Sequence, residues 1–252
     1  MNSRIIVAGS DFLTTEIYET AMLLGHEVII LDLLGNSRLD NVKVIKVNEV
    51  TDEFRTLPII MGSAQYPEFE SLPFLDHMRK NRIKLLAEIE EIGFTNWTSV
   101  IHPSAVIATS AKIGPNVFIG ANSTISSNSK VSSGTRINRD VSIGHDVAIG
   151  SFCDIAPGVT IAGLANIEDS VFIGAGSILI NGVSVGSSAS VAAGSIVTRN
   201  VRSSTLVMGS PARTKNLLLR RIRKKILFEI KRILKILGLF SFAKAVFLWW
   251  KS

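Results

Sequence analysis

The 252-residue chain has 27 Lys and Arg against 21 Asp and Glu, a net charge of +6, and one cysteine. One cysteine excludes a disulfide framework, and the length leaves room for one or two domains. The charge is unevenly placed: residues 213–252 hold twelve Lys and Arg and one Glu, so residues 1–212 carry a net −5. The chain therefore reads as an acidic, enzyme-like body with a basic tail. Its start, MNSRIIVAGS, has no charged-then-apolar leader of signal-peptide length, which predicts a cytoplasmic protein.

RIIVAGS predicts a buried strand over 4–9. A helix should follow from about Phe12 to Leu24, capped by Ser10 or Asp11. GHEVIILDL then gives a turn and a second strand at 27–31, the start of a βαβ unit, with further strands at 43–47 and 57–61. Residues 72–91, with Arg79, Lys80, Arg82 and several Glu, read as a solvated helix leading into the second half of the chain.

From Ile101 to Val197 every sixth residue is aliphatic, at all 17 positions. Four residues after each stands a small or β-branched residue, such as Ala105, Ser123, Thr135, Cys153 and Ser195. A period of six is neither helical nor simple alternation; it marks a β-solenoid built from hexapeptides. Each hexad is a short strand and a turn, with the aliphatic and the small residue pointing inward and Gly, Asn, Ser, Asp or Pro at the corners. Three hexads make an 18-residue coil, so residue n stacks on n−18 at a strand spacing of roughly 4.8 Å. Cys153 falls on an inward position and reads as a core residue.

Of four histidines, His26 falls in a turn, His77 in the 72–91 helical region and His102 in the entry coil. His145 differs. It is the third residue of the hexad that begins at Ile143, on a corner and pointing outward, where the core has no use for it.

Beyond residue 213, Leu219, Ile222, Ile226, Ile230, Ile233 and Leu237 recur at helical spacing with Lys and Arg on the other face, a basic amphipathic helix. The following GLFSFAKAVFLWWKS is too short, and interrupted by Lys244, to cross a hydrocarbon core of about 30 Å. Trp249 and Trp250 suit a membrane interface. Peripheral membrane contact through 214–252 is the expected role, with packing on the solenoid or a neighbouring subunit as the alternative. Nucleic acid is not an expected partner, because no base-reading motif accompanies the charge.

Residues 98–213 resemble the left-handed parallel β-helix of the hexapeptide acyltransferases. The junction RIKLLAEIEEIGFTNWTSVIHPSAVIATSAKIG resembles that of the nucleotide-sugar acetyltransferases, the family of the sialic-acid O-acetyltransferases and bacillosamine-type N-acetyltransferases. The resemblance implies a Rossmann-like α/β domain over 1–97, a left-handed β-helix over 98–213, and the tail over 214–252. It also implies a homotrimer with acetyl-CoA between neighbouring solenoids; no metal is expected, since the sequence has no ligand cluster with zinc spacing.

Carried over residue by residue, the resemblance makes His145 the general base and Asp146 the acid that orients it. Asn138 would contact the sugar, or serve simply as a turn residue of its corner. Backbone at Gly163, Ala175 and Ala193 would line the acyl-CoA groove, and Arg213 of VMGSPART would meet a CoA phosphate. Two departures stand out. The family's glycine-rich turn is here Gly9-Ser10-Asp11-Phe12, which leaves Gly9 and Ser10 as candidate nucleotide-sugar contacts and sets Asp11 where a pyrophosphate would lie. Asp154 stands where many relatives have a histidine near the acyl group. Asp32, at the end of the second strand, would meet a ribose or base, or else be a surface carboxylate.

The function implied is acetyl-CoA-dependent acetylation of a nucleotide- or lipid-linked amino sugar, for surface glycan or polysaccharide synthesis, at the inner face of the plasma membrane. The alternatives are another small hydroxyl or amine acceptor, or a non-catalytic, membrane-attached solenoid scaffold.

Overall fold

A computed structural model describes residues 3–35, 39, 42–65 and 74–214. The expected amphipathic tail, beyond Thr214, and the side chain of His77 lie outside the described residues.

The α/β region comprises β1 (Arg4–Ala8), α1 (Phe12–Leu23), β2 (Glu27–Asp32), β3 (Lys43–Lys46), α2 (Asp52–Thr56), β4 (Ile59–Met61) and α3 (Phe74–Ile92). Its sheet is parallel, in the order β3-β2-β1-β4. Strands buried on both faces read as continuous apolar runs, and RIIVA and EVIILD do so. Ile5, Val7 and Ile30 pack with Ile17 and Ala21 of α1, whereas Ile6, Ile29 and Leu31 pack with Leu85 and Ile89 of α3. The strand order turns back between β1 and β4. In open α/β sheets that point, at the carboxyl ends of the strands, is where a ligand crevice forms.

Asp11, rather than Ser10, caps α1: its Oδ1 accepts from Leu13 N at 3.1 Å. The short α2 and the single 3-10 turn before it, Val47–Glu49, carry too little periodicity to be legible in the sequence.

The second half is a parallel β-helix. Two-residue strands pair at a register of 18, as in Lys130 with Ala148 and Arg136 with Asp154. They form three parallel sheets, an arrangement that fits a left-handed β-helix. The first sheet contains Val100–Ile101 through Ser190–Val191, the second Val106–Ile107 through Ile196–Val197, and the third Lys112–Ile113 through Ser184–Val185. The aliphatic series fills the interior.

Small polar residues share that interior because their hydroxyls are satisfied. Ser123 Oγ donates to Asn138 O at 2.8 Å and accepts from Val141 N at 3.2 Å, and Ser129 and Thr135 repeat the pattern. A buried hydroxyl costs stability only when unpaired.

The corners have their own beat. Asn116, Asn122, Asn128, Asp140, Asp146, Phe152, Leu164, Ser170 and Ser188 all have φ between 55° and 63°, and glycines fill most of the remaining steps of six. This left-handed conformation suits Asn, Asp and Gly.

The α/β region and the solenoid form one compact unit. Val100 and Phe118 complete the core beneath α1. Asn116 Oδ1 accepts from Met61 N at 2.9 Å, and Arg139 pairs with Glu16 of α1 at 3.4 Å.

Candidate functional site

His145 stands on the corner between the Ser142–Ile143 and Ala148–Ile149 strands, with a side chain 55% exposed. Two glycines make that corner. A Cβ on Gly144 would meet Gly163 N at 2.5 Å, and a Cβ on Gly163 would meet His145 Nε2 at 2.6 Å. The ring therefore rests on the bare backbone of the next coil. Leu164 N donates to His145 O at 2.9 Å and holds the two coils in step.

Asp146 follows in the left-handed corner position, with φ 55°. That backbone turn brings its Oδ2 to 2.8 Å from His145 Nδ1. A carboxylate only accepts, so Nδ1 carries a proton, and in the neutral ring Nε2 keeps its lone pair. Hydrogen bonds from His145 and then from Asn128, one coil below, hold the Asp146 carboxyl below its ordinary value. The pair thus has the makings of a general base: an ionised acid orienting an imidazole whose second nitrogen is available.

The structure divides the expected donor-binding residues between two corners. Gly163 is buried and stacks on His145. Ala175 and Ala193 are exposed and stack on each other on the adjacent corner, joined by Gly194 N donating to Ala175 O at 2.8 Å. Arg213 is exposed at the end of the solenoid, where its Nη1 donates to Ala212 O at 3.1 Å.

Asp154 is not brought to Gly163. It begins a strand of the first sheet and faces the α/β region, since the residue before each inward aliphatic points out. Arg136 Nε donates to its Oδ1 at 2.6 Å and Arg82 Nη1 to its Oδ2 at 2.9 Å. The carboxyl side chain is 19% exposed and the two arginines only 8% and 6%. Burial pushes the Asp154 carboxyl up, but Arg136 and Arg82 outweigh it and hold the group below its ordinary value. Arg82 was expected on a solvated face of its helix; instead it reaches through to the solenoid, donating to the carbonyls of Gly134 and Phe152.

The nucleotide-sugar candidates also separate. Asp32 is buried and is neither a surface carboxylate nor open to a ribose: its Oδ1 accepts from Leu34 N at 3.0 Å and Gly35 N at 2.9 Å. Gly9 has φ 141°, and a Cβ there would stand 2.4 Å from Ser63 O, so close backbone packing accounts for this glycine. Ser10 is buried and donates its N–H to Ser63 O at 2.9 Å. The Asp11 carboxylate accepts from the first turn of α1 and from the Ser63 hydroxyl, so the donors that would face a phosphate are already engaged.

A cavity of about 520 Å³ opens at the carboxyl ends of β1 and β4, with Asp11 and Ser63 on one side and Arg82, Arg136, Asn138 and Asp154 on the other. Asn138 is half-buried and its Oδ1 accepts from Arg139 N at 2.8 Å. His145 is not among the residues that line this cavity. Arg82 and Arg136 were not legible as site residues. The only sequence signal is the column Phe118, Arg136, Asp154, Phe172, spaced by 18, which sets opposite charges side by side. Among the described residues, no group of three or more His, Cys, Asp or Glu could hold a metal ion, and no helix is long and apolar enough to cross a membrane.

Two stretches of the solenoid resemble hexapeptide-repeat transferases. Residues 98–127 match the bacterial transferase hexapeptide model and residues 165–199 the hexapeptide repeat of succinyl-transferase. Over both halves the chain resembles sugar N-acetyltransferases. The Caulobacter crescentus protein PerB, solved with CoA and GDP-perosamine, is 25% identical with a TM-score of 0.70, over 85% of this chain and 98% of that one. The acetyltransferase domain of PglB from Neisseria gonorrhoeae, solved with acetyl coenzyme A, shares the fold at 22% identity and a TM-score of 0.72, over 85% and 100%. A 2,3,4,5-tetrahydropyridine-2,6-dicarboxylate N-acetyltransferase of Staphylococcus aureus is 42% identical over 67 residues, 23% of this chain and 28% of that protein. The chain thus spans about a quarter of the length of that curated relative.

Proposed function

We propose that the chain transfers an acetyl group from acetyl-CoA to an amine or hydroxyl of a nucleotide-linked sugar. The observation that carries this reading is the His145–Asp146 pair resting on Gly163. His145 Nε2 takes the proton of the acceptor as the acceptor attacks the thioester carbon. The new C–N or C–O bond forms, the C–S bond breaks, and the sulfur takes the proton back from His145, so that CoA leaves as its thiol. Asp146 keeps the ring in the right tautomer and stabilises its charged form, as an acidic partner does in other histidine-based sites. The acyl donor would lie along the small residues Gly163, Ala175 and Ala193, and Arg213 would meet a CoA phosphate.

In one chain these residues occupy two different corners, and the cavity at β1 and β4 is lined without His145. A homotrimer, in which one copy's His145 corner faces the next copy's cavity and Ala175–Ala193 edge, would unite them. The complex of PerB with CoA and GDP-perosamine supports both the donor and the nucleotide-sugar class. A fold alone does not carry chemistry, so the test is direct: thiol release from acetyl-CoA with a panel of amino-sugar nucleotides, wild type against His145→Ala. A loss of about 100-fold or more is the expected result; equal turnover in the variant would overturn the reading. Placement at the inner membrane face rests on the sequence pattern of 214–252 and is tested by pelleting with anionic vesicles before and after truncation at Arg213.

A further inference from the structure

The cluster under the cavity is unbalanced. Two guanidinium groups share one carboxylate, and all three line the same space. Asp154 uses one oxygen for Arg136 Nε and the other for Arg82 Nη1. Arg82 spends further donors on the carbonyls of Gly134 and Phe152. Arg82 Nε and Arg136 Nη1 are then buried without a hydrogen-bond partner. Buried charged donors left unpaired are costly, and here they belong to side chains more than nine-tenths buried.

Burial, and then the neighbouring Arg136, lower the Arg82 guanidinium to about 10, the shift expected of a cation short of anionic partners. The other acid on the cavity, Asp11, is occupied by α1 and Ser63. Phe118 and Phe172 flank the arginine–aspartate pair in its own column and also line the cavity, so apolar walls strengthen any charge interaction between them.

We propose that the cavity holds an oxyanion of its ligand, a carboxylate or a phosphate, on Arg136 and Arg82. Guanidinium groups match both chemistries through paired N–H donors. Resting on the transferase reading, this makes the acceptor a sugar whose anionic group is bound on the solenoid floor, a task the Gly9–Phe12 turn cannot perform with Asp11 in place.

The test is calorimetry on the full chain with inorganic pyrophosphate, D-glucuronate and D-glucose, comparing wild type, Arg136→Met and Asp154→Asn. Arg136→Met should weaken the favoured anion about tenfold. Asp154→Asn, which releases both guanidinium groups, should tighten it several-fold. Glucose should show no difference among the three. Whichever anion responds identifies the source of the oxyanion. Folded variants that bind both anions as wild type does would overturn the proposal, as would a wild type that binds neither. Should Arg136→Met fail to fold, an unchanged affinity in Asp154→Asn overturns it alone. Binding is read without acetyl transfer, so a chain that binds the anion yet releases no thiol sinks the transferase reading and leaves the oxyanion site standing.

Discussion

The Nε2 edge of His145 sits against the Cα of Gly163, one coil on, so closely that a methyl group at 163 would come within 2.6 Å of it. The glycine is there for the ring: no positive φ requires it.

Gly163→Ala should therefore push the imidazole aside without unfolding the chain, because the ring is exposed and free to move outward. We expect a loss of about 100-fold in kcat, the scale of a misplaced catalytic group, with stability within about 0.5 kcal/mol of wild type. Thiol-release kinetics and a thermal melt on the same preparation check both halves.

Asp146→Asn keeps a residue that tolerates the left-handed corner and removes the charge that fixes the Nδ1 proton. The melt should be unchanged while kcat falls at least about tenfold, toward the loss seen when a histidine is held in the wrong tautomer. Because the Asp146 carboxyl is held below its ordinary value, it stays ionised above about pH 4. No limb of the wild-type pH–rate profile above that pH should vanish in the variant.

Asp154→Asn should cost about 3 kcal/mol at neutral pH, since it strands two buried cations. The folded carboxyl lies below its unfolded value. Its contribution is therefore complete above about pH 4 and is lost as pH falls toward the folded value. Urea titrations between pH 7 and pH 3 should show a falling stability in wild type and a flatter profile in the variant.

Cys153 should be chemically silent. It is fully buried, its thiol donates to Glu168 O at 3.0 Å, and burial pushes the group up to about 12. A thiol reagent at pH 8 should leave the folded chain unlabelled and label it fully in denaturant.

The solenoid was legible because its contacts repeat: one aliphatic residue every six is the same inward position met 17 times. The α/β strands were legible as unbroken apolar runs, and the His145 corner as a polar residue the core does not need. The arginine–aspartate cluster was hidden because it joins Arg82 to Asp154 across 72 positions, and because a helical Arg among Glu and Lys reads as solvated. Asp11 is legible as a cap of α1, whereas the burial of Asp32 is not. A carboxylate at a strand end suits a ligand and suits a cap equally well, and only the backbone donors at Leu34 and Gly35 decide between them.

The 18-residue register makes the solenoid a ruler. The α/β region is fixed at the Val100 and Phe118 graduations, and His145 stands at its own. Excising residues 120–137 would keep every later residue on its own face, with Ser110 in place of Asn128 beneath Asp146. It would lower His145 by one strand spacing, about 4.8 Å, relative to the α/β region. Reach between the two parts of the protein is thus set in whole steps by coil number, separately from the chemistry that any one corner performs.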